Sequence, residues 1–153
     1  MKLKILEVRD ASGEIITSPE SVARIMAEEA KADREYFWIL HLTTKNQIIE
    51  KELVSIGTLS SALVHPREVF KKAVLNSTAS IITVHNHPSG HVEPSIKDRE
   101  LWERLENAGE ILGIIIIDHL IITPHGAYYS RKEKSYETKN IGEYEHGEEN
   151  KIH

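Results

Sequence analysis

Residues 83–98 read TVHNHPSGHVEPSIKD, which places His85, His87 and His91 within seven positions and Asp98 a short way beyond. His85 and His87 stand two apart at the end of the apolar run ASIITV, residues 79–84. If that run is a strand, its period of two puts both imidazoles on one side of a sheet, the placement that two nitrogen ligands of one cation need. Asp98 lies eleven residues past His87, in what reads as the first turn of a helix, from where a carboxylate can swing back to the strand end. Two imidazoles and a carboxylate leave a fourth tetrahedral position for water, the arrangement of a catalytic rather than a structural zinc. Such a site lowers the pKa of bound water to about 7 and makes a hydroxide nucleophile available.

Simpler roles compete for the same residues. Ser95-Ile96-Lys97-Asp98 is also a capping-box-like helix start, with serine at the N-cap and an acid three residues later. A His-x-His pair alone is a weak signal, and His91 in its Gly-His setting reads as a solvated loop residue. Asn86 and Ser89 read as loop-shaping residues, because Pro88-Ser89-Gly90 is turn chemistry. The literal HNH at 85–87 is not the nuclease motif of that name, whose three residues are spread through a longer segment.

The elements that must position these groups follow from periodicity and punctuation. Leu3, Ile5 and Val8 suggest an opening strand, with a turn at Ala11-Ser12-Gly13. Ser18-Pro19-Glu20 starts a helix with Val22, Ile25, Met26 and Ala30 at helical spacing. Residues 35–42 read as a buried strand and Thr44-Lys45-Asn46-Gln47 as a hairpin turn into a second strand over 48–56, which Gly57 breaks. Pro66 opens a helix ending near Asn76, with His65 and Arg67 as structural residues of its start. A further helix spans 95–112 and stops at Gly113. Residues 114–117, 120–123 and Tyr128-Tyr129 supply strand material, with Asp118-His119 in a strand-end role or buttressing the site from behind. From Arg131 a mixed-charge run reads as a tail. The expected fold is α/β in the broad sense, an α+β sandwich with a mixed sheet flanked by helices, divided as 1–14 strand and turn, 15–130 domain and 131–153 charged tail.

Composition bounds the function classes. With 40% hydrophobic and 28% charged residues, the 153-residue chain is that of an ordinary globular protein with room for one core. No apolar run approaches the roughly 18 residues of a membrane helix, and charge comes too early in MKLKILEVRD for a signal peptide, so a cytoplasmic location is expected. The absence of cysteine excludes disulfides, thiolate zinc fingers and a cysteine nucleophile. A net charge of −5 disfavours a surface that coats nucleic acid.

The two histidines, Ser95 and Asp98 stand as H-x-H-x(7)-S-x(2)-D, and with that spacing the sequence resembles the JAMM (MPN+) metalloprotease family. The likeness is greater to its bacterial RadC branch, on HNHPSG at 85–90, Pro94-Ser95-x-x-Asp98, HPREVF at 65–70, TKN at 44–46, GTL at 57–59 and Asp118-His119. The resemblance covers about residues 15–130 and implies a cytidine-deaminase-like MPN/JAMM domain. It implies one zinc ion per chain on His85, His87 and Asp98, with Ser95 contacting the activated water or the oxyanion. It implies an upstream glutamate as general base, and Glu35, directly ahead of YFWILHL, fits that place better than Glu50 or Glu52 within the second strand. The implied substrate is a peptide or protein, cleaved at a peptide or isopeptide bond.

Departures from the branch are few. Too few residues precede the first core strand for the helix-hairpin-helix module of typical RadC proteins, which weakens the link to DNA repair that the family name carries. Thr44 stands where relatives often have aspartate, and His41 is an unexpected polar residue in the first strand. A zinc-holding binding module and a DNA-repair accessory protein stay open as alternatives to an enzyme, and so does a homo-oligomer.

Overall fold

The computed structural model describes residues 13–57 and 64–134; the expected opening strand and most of the expected tail lie outside the described residues. Five strands, β1 (Tyr36–Leu42), β2 (Ile48–Ile56), β3 (Ser80–Asn86), β4 (Ile115–Ile122) and β5 (Tyr128–Ser130), form one mixed sheet in the order β2-β1-β3-β4-β5. Strand β1 runs antiparallel to β2 and β3, β3 and β4 are parallel, and β5 returns antiparallel on β4. A parallel pair needs a crossover, and α3 (Ile96–Leu112) supplies it. The fold is α+β.

Alternation along the strands divides the core in two. Leu40, Leu42, Ile82, Val84, Leu120 and Ile122 pack with Val22 and Met26 of the α1 (Pro19–Ile25) segment on one face. Phe37, Ile39 and Ile81 pack with α2 (Pro66–Leu75) and α3 on the other, through Val69, Phe70, Leu101 and Leu105. Odd-numbered residues of β1 and β3 therefore face α3, and His85 is one of them.

The helix signals take the expected form. Ser18 and Ser21 make a capping box for α1, and the His65 ring accepts the Arg67 N–H at 3.0 Å to cap α2. Helix α3 opens on Ser95 and ends on Gly113, whose φ of 70° is the left-handed conformation a C-cap glycine adopts without cost. The unexpected His41 is buried with its two ring nitrogens on Thr78 Oγ1 at 3.2 Å and Glu52 Oε1 at 3.0 Å, so the polar ring is satisfied inside the sheet.

Two expectations change. The spacing of Val22, Ile25, Met26 and Ala30 suggests one helix, yet the chain leaves the α conformation at Met26 and winds again as a 3-10 turn at Glu29–Lys31. Met26 and Ala30 are buried in the same cluster regardless, so the period recorded which residues are buried rather than one unbroken helix. Asp118-His119 does not end a strand but lies inside β4. Its polar groups are all engaged: Asp118 accepts from the N–H groups of His119 and Lys132 and from Ser130 Oγ at 2.6 Å, while His119 joins Thr83 to Glu106.

Close packing of α3 on the sheet depends on Gly109. A Cβ there would stand 2.6 Å from the Ile114 carbonyl oxygen and 3.3 Å from the Phe70 ring, and the nearer neighbour is backbone. Gly109→Ala is expected to destabilise the domain by about 1–3 kcal/mol despite alanine's better helix propensity. Urea denaturation checks this, and an unchanged midpoint would refute it.

Candidate metal centre

The site is assembled where β3 ends and α3 begins. Strand β3 is buried along its whole length and carries His85 with no exposed surface. The His85 ring lies between Phe37, stacked at 6.2 Å between centroids, and Trp102 of α3 at 6.1 Å. Its Nδ1 has no hydrogen-bond partner among the described residues, so all its polar contacts are at Nε2. That nitrogen is 3.1 Å from Nε2 of His87 and 3.5 Å from Oδ1 of Asp98. His87 Nε2 is in turn 3.5 Å from Asp98 Oδ2.

Orientation of the second ring is set by the turn. Gly90 N–H closes it on the His87 carbonyl, and the His91 carbonyl oxygen comes within 2.7 Å of His87 Nδ1. A carbonyl only accepts, so Nδ1 carries the proton and the neutral ring presents a bare Nε2 to the site. His91 thus contributes its backbone, while its exposed side chain takes no part in the ligand group.

Asp98 combines two roles that read as rivals in the sequence. Ser95 Oγ accepts from the Asp98 N–H at 3.0 Å and Asp98 Oδ2 accepts from the Ser95 N–H at 2.9 Å, a complete capping box. The same cap turns the carboxylate inward, where it is 6% exposed and faces both imidazoles. Burial alone would raise its pKa, but the contacts with His85 and His87 outweigh it and hold the carboxyl far below the usual range.

One ligand atom from each of His85, His87 and Asp98 lies within 4.8 Å of the others, so the three can hold a metal ion. The RadC-like JAB domain family matches residues 16–136 of this sequence. The chain belongs to that family. It is 48% identical over 126 residues to a UPF0758 protein of Rubrobacter xylanophilus, covering 82% of this chain and 55% of that protein. A UPF0758 protein of Desulforudis audaxviator is 53% identical over 108 residues, 70% of this chain and 47% of its own. One from Caldanaerobacter subterraneus is 50% identical over 122 residues, 79% and 52% respectively. The chain spans about half the length of these curated relatives.

Protons compete for the centre of this RadC-like domain. Burial pushes the His87 pKa down, but the Asp98 carboxylate, the His91 carbonyl and the Glu35 charge outweigh it and raise the pKa above the ordinary 6.5. In the metal-free protein the raised His87 adds stability that is complete below 6.5 and lost as pH rises through its folded value. The depressed Asp98 adds stability present above 3.8 and lost as pH falls through its folded value. A metal must displace the His87 proton, so affinity for a divalent ion is expected to climb up to about tenfold per pH unit from pH 6 and then level off. Competition with a chromophoric chelator measures it, and an affinity flat from pH 6 to 8 would contradict the geometry.

The other candidate residues of the RadC-like domain separate by position. Glu35 immediately precedes β1 and is half-buried. The β1–β3 register pairs Phe37 with His85, and continued by two residues it sets Glu35 level with His87. If the strand alternation of β1 carries on past Tyr36, Glu35 shares the face of Phe37, hence of His85. Glu52 and Glu50 pair with Ile39 and His41, farther from that end of the sheet, and are committed to His41 and to Lys72 with Asn76. Ser95 is exposed at the rim.

Trp102 belongs to the helix expected over 95–112, and Arg131 opens the expected tail. Trp102 is fully buried and lies against His85 on one side, stacks on His119 at 5.2 Å on the other, and carries the Arg131 guanidinium 5.7 Å above its ring. Arg131 Nε also pairs with Glu106 Oε1 at 2.9 Å. His119 therefore meets the surroundings of the centre through Trp102 and through Thr83 of β3. The available sequence signal was a tryptophan four residues after Asp98, one helical turn along the same face.

Proposed function

We propose that this RadC-like domain is a zinc-dependent hydrolase of JAMM type that cleaves a peptide or isopeptide bond of a protein or peptide substrate. The observation that carries the reading is the convergence of His85 Nε2, His87 Nε2 and the buried Asp98 carboxylate at a strand end where the His87 side chain is 13% exposed and open to a substrate. Nitrogen and carboxylate donors in a set of three suit zinc and leave one position for water. His85, His87 and Asp98 would hold the zinc, which when bound would supply carbonyl polarisation and a hydroxide near neutral pH.

The chain's own residues do the rest. Glu35 accepts the proton of the attacking water and returns it to the leaving amine, a role that needs a carboxylate in reach of the site but outside the ligand set. The Ser95 oxygen already accepts the Asp98 N–H, so its hydroxyl proton is the part offered to the developing oxyanion. His91 and Ser95 backbone groups hold the His87 and Asp98 side chains in orientation.

Elemental analysis of protein produced in zinc-replete medium tests the reading, with about one zinc per chain expected. Protein that contains no zinc and takes none up on dialysis would remove it.

A further inference from the structure

Asn86 is a fully buried polar residue lying between the two imidazoles in sequence, but on the opposite face of β3. The paired register of β1 and β3 ends at Phe37 and His85. Beyond it the Asn86 side chain takes over. Its Oδ1 accepts the Tyr36 N–H at 2.7 Å, and its Nδ2 donates to the Arg34 carbonyl at 2.8 Å. A primary amide carries one acceptor and two donors, so here it acts as a peptide group would in the next rung of a sheet. The two contacted backbone groups flank Glu35 on either side. On the other edge the Gly57 N–H donates to the Glu35 carbonyl at 2.7 Å. Glu35 is thus fixed through its main chain from both sides, and strand alternation counted on from Phe37 would turn its side chain to the face of His85.

We infer that Asn86 is a positioning residue that holds Glu35 opposite the metal ligands. This rests on the reading of Glu35 as the base. The short H-x-H segment then fixes three groups at once: its two histidines form the ligand pair on one face, and the residue between them locks the base from the other. A carboxylate displaced by about 1 Å loses much of its effect on the reacting water, which is why a base ahead of a strand needs such a clamp. An alanine at 86 would leave the Tyr36 N–H and Arg34 carbonyl without their partner and free the 34–36 backbone to shift.

The test uses the zinc-loaded domain and acetohydroxamic acid, whose N–OH proton passes to a well-placed carboxylate as the hydroxamate oxygens bind the metal. Asn86→Ala and Asn86→Ser are compared with Glu35→Gln and with the double variant Asn86→Ala/Glu35→Gln, by elemental analysis, amide hydrogen exchange and hydroxamate titration. Expected results are unchanged zinc content, about tenfold faster exchange of the Tyr36 amide and hydroxamate binding about fivefold weaker or more. The double variant should bind no more weakly than Glu35→Gln, because Asn86 acts through Glu35. Wild-type hydroxamate binding in both Asn86 variants, with Glu35→Gln weakened, overturns the inference alone. Loss of zinc from both variants also overturns it, since Asn86 would then be holding the ligand strand. Wild-type binding by Glu35→Gln overturns the base assignment, and the inference with it.

Discussion

Replacing Asp98 with alanine is expected to abolish zinc retention, from about one ion per chain to none after dialysis. The substitution removes the sole carboxylate of the ligand group and leaves two imidazoles, too few donors for a stable site. It also removes the acceptor of the Ser95 N–H at the start of α3, a capping contribution of about 1 kcal/mol. Asp98→Asn separates the two effects. Its amide oxygen can still accept from Ser95, but it lacks the charge that both histidines face. Both variants should therefore fail to hold zinc and, without the carboxylate charge, melt below the metal-free wild type, whereas the alanine variant, which also loses the cap, should melt about 3–5 °C below the asparagine variant. Elemental analysis and thermal melts read the two outcomes independently. Stoichiometric zinc in dialysed Asp98→Asn would mean that the ion is held elsewhere.

Glu35→Gln should give the opposite pattern: full zinc content and turnover of a peptide or isopeptide substrate lowered by about 10²–10⁴-fold. The exchange is isosteric, and the hydrogen bonds made at this position, from Gly57 to the Glu35 carbonyl and between Asn86 and the two neighbours of Glu35, involve main chain that the substitution leaves intact. What is lost is the capacity to take a proton. A single-turnover assay on metal-matched preparations is the appropriate comparison. Equal rates above background would remove Glu35 as the base, and background rates in both would point to a domain that holds zinc without using it for hydrolysis, a binding module rather than an enzyme.

Much of the architecture is legible without coordinates because its signals are local. Proline at the start of α2, Gly113 after α3 and the hairpin residues between β1 and β2 each act within a few residues of chain, and the strand expected over 48–56 is β2. The ligand group is similarly local. His85 and His87 share a face by strand period alone, and the distance in sequence to Asp98 is bridged by one loop and one helix cap. Where burial and local conformation part company the same signals fail: Met26 and Ala30 keep a helical spacing across the end of α1, and Asp118-His119 reads as an interruption because its partners lie on other elements.

The sequence by itself determined which residues can bind a metal, in what spacing, and which strand end and helix start present them. Tertiary structure alone decided what surrounds them. The antiparallel pairing of β1 with β3 brings the backbone on both sides of Glu35 to Asn86, which bonds Arg34 and Tyr36 across about fifty residues of chain. The crossover of α3 lays Trp102 between His85 and His119 and brings Glu106 to Arg131. These contacts join residues far apart in the chain, and no local propensity encodes them. They exist because burying both faces of one sheet fixes strand order and register, and register then chooses the neighbours.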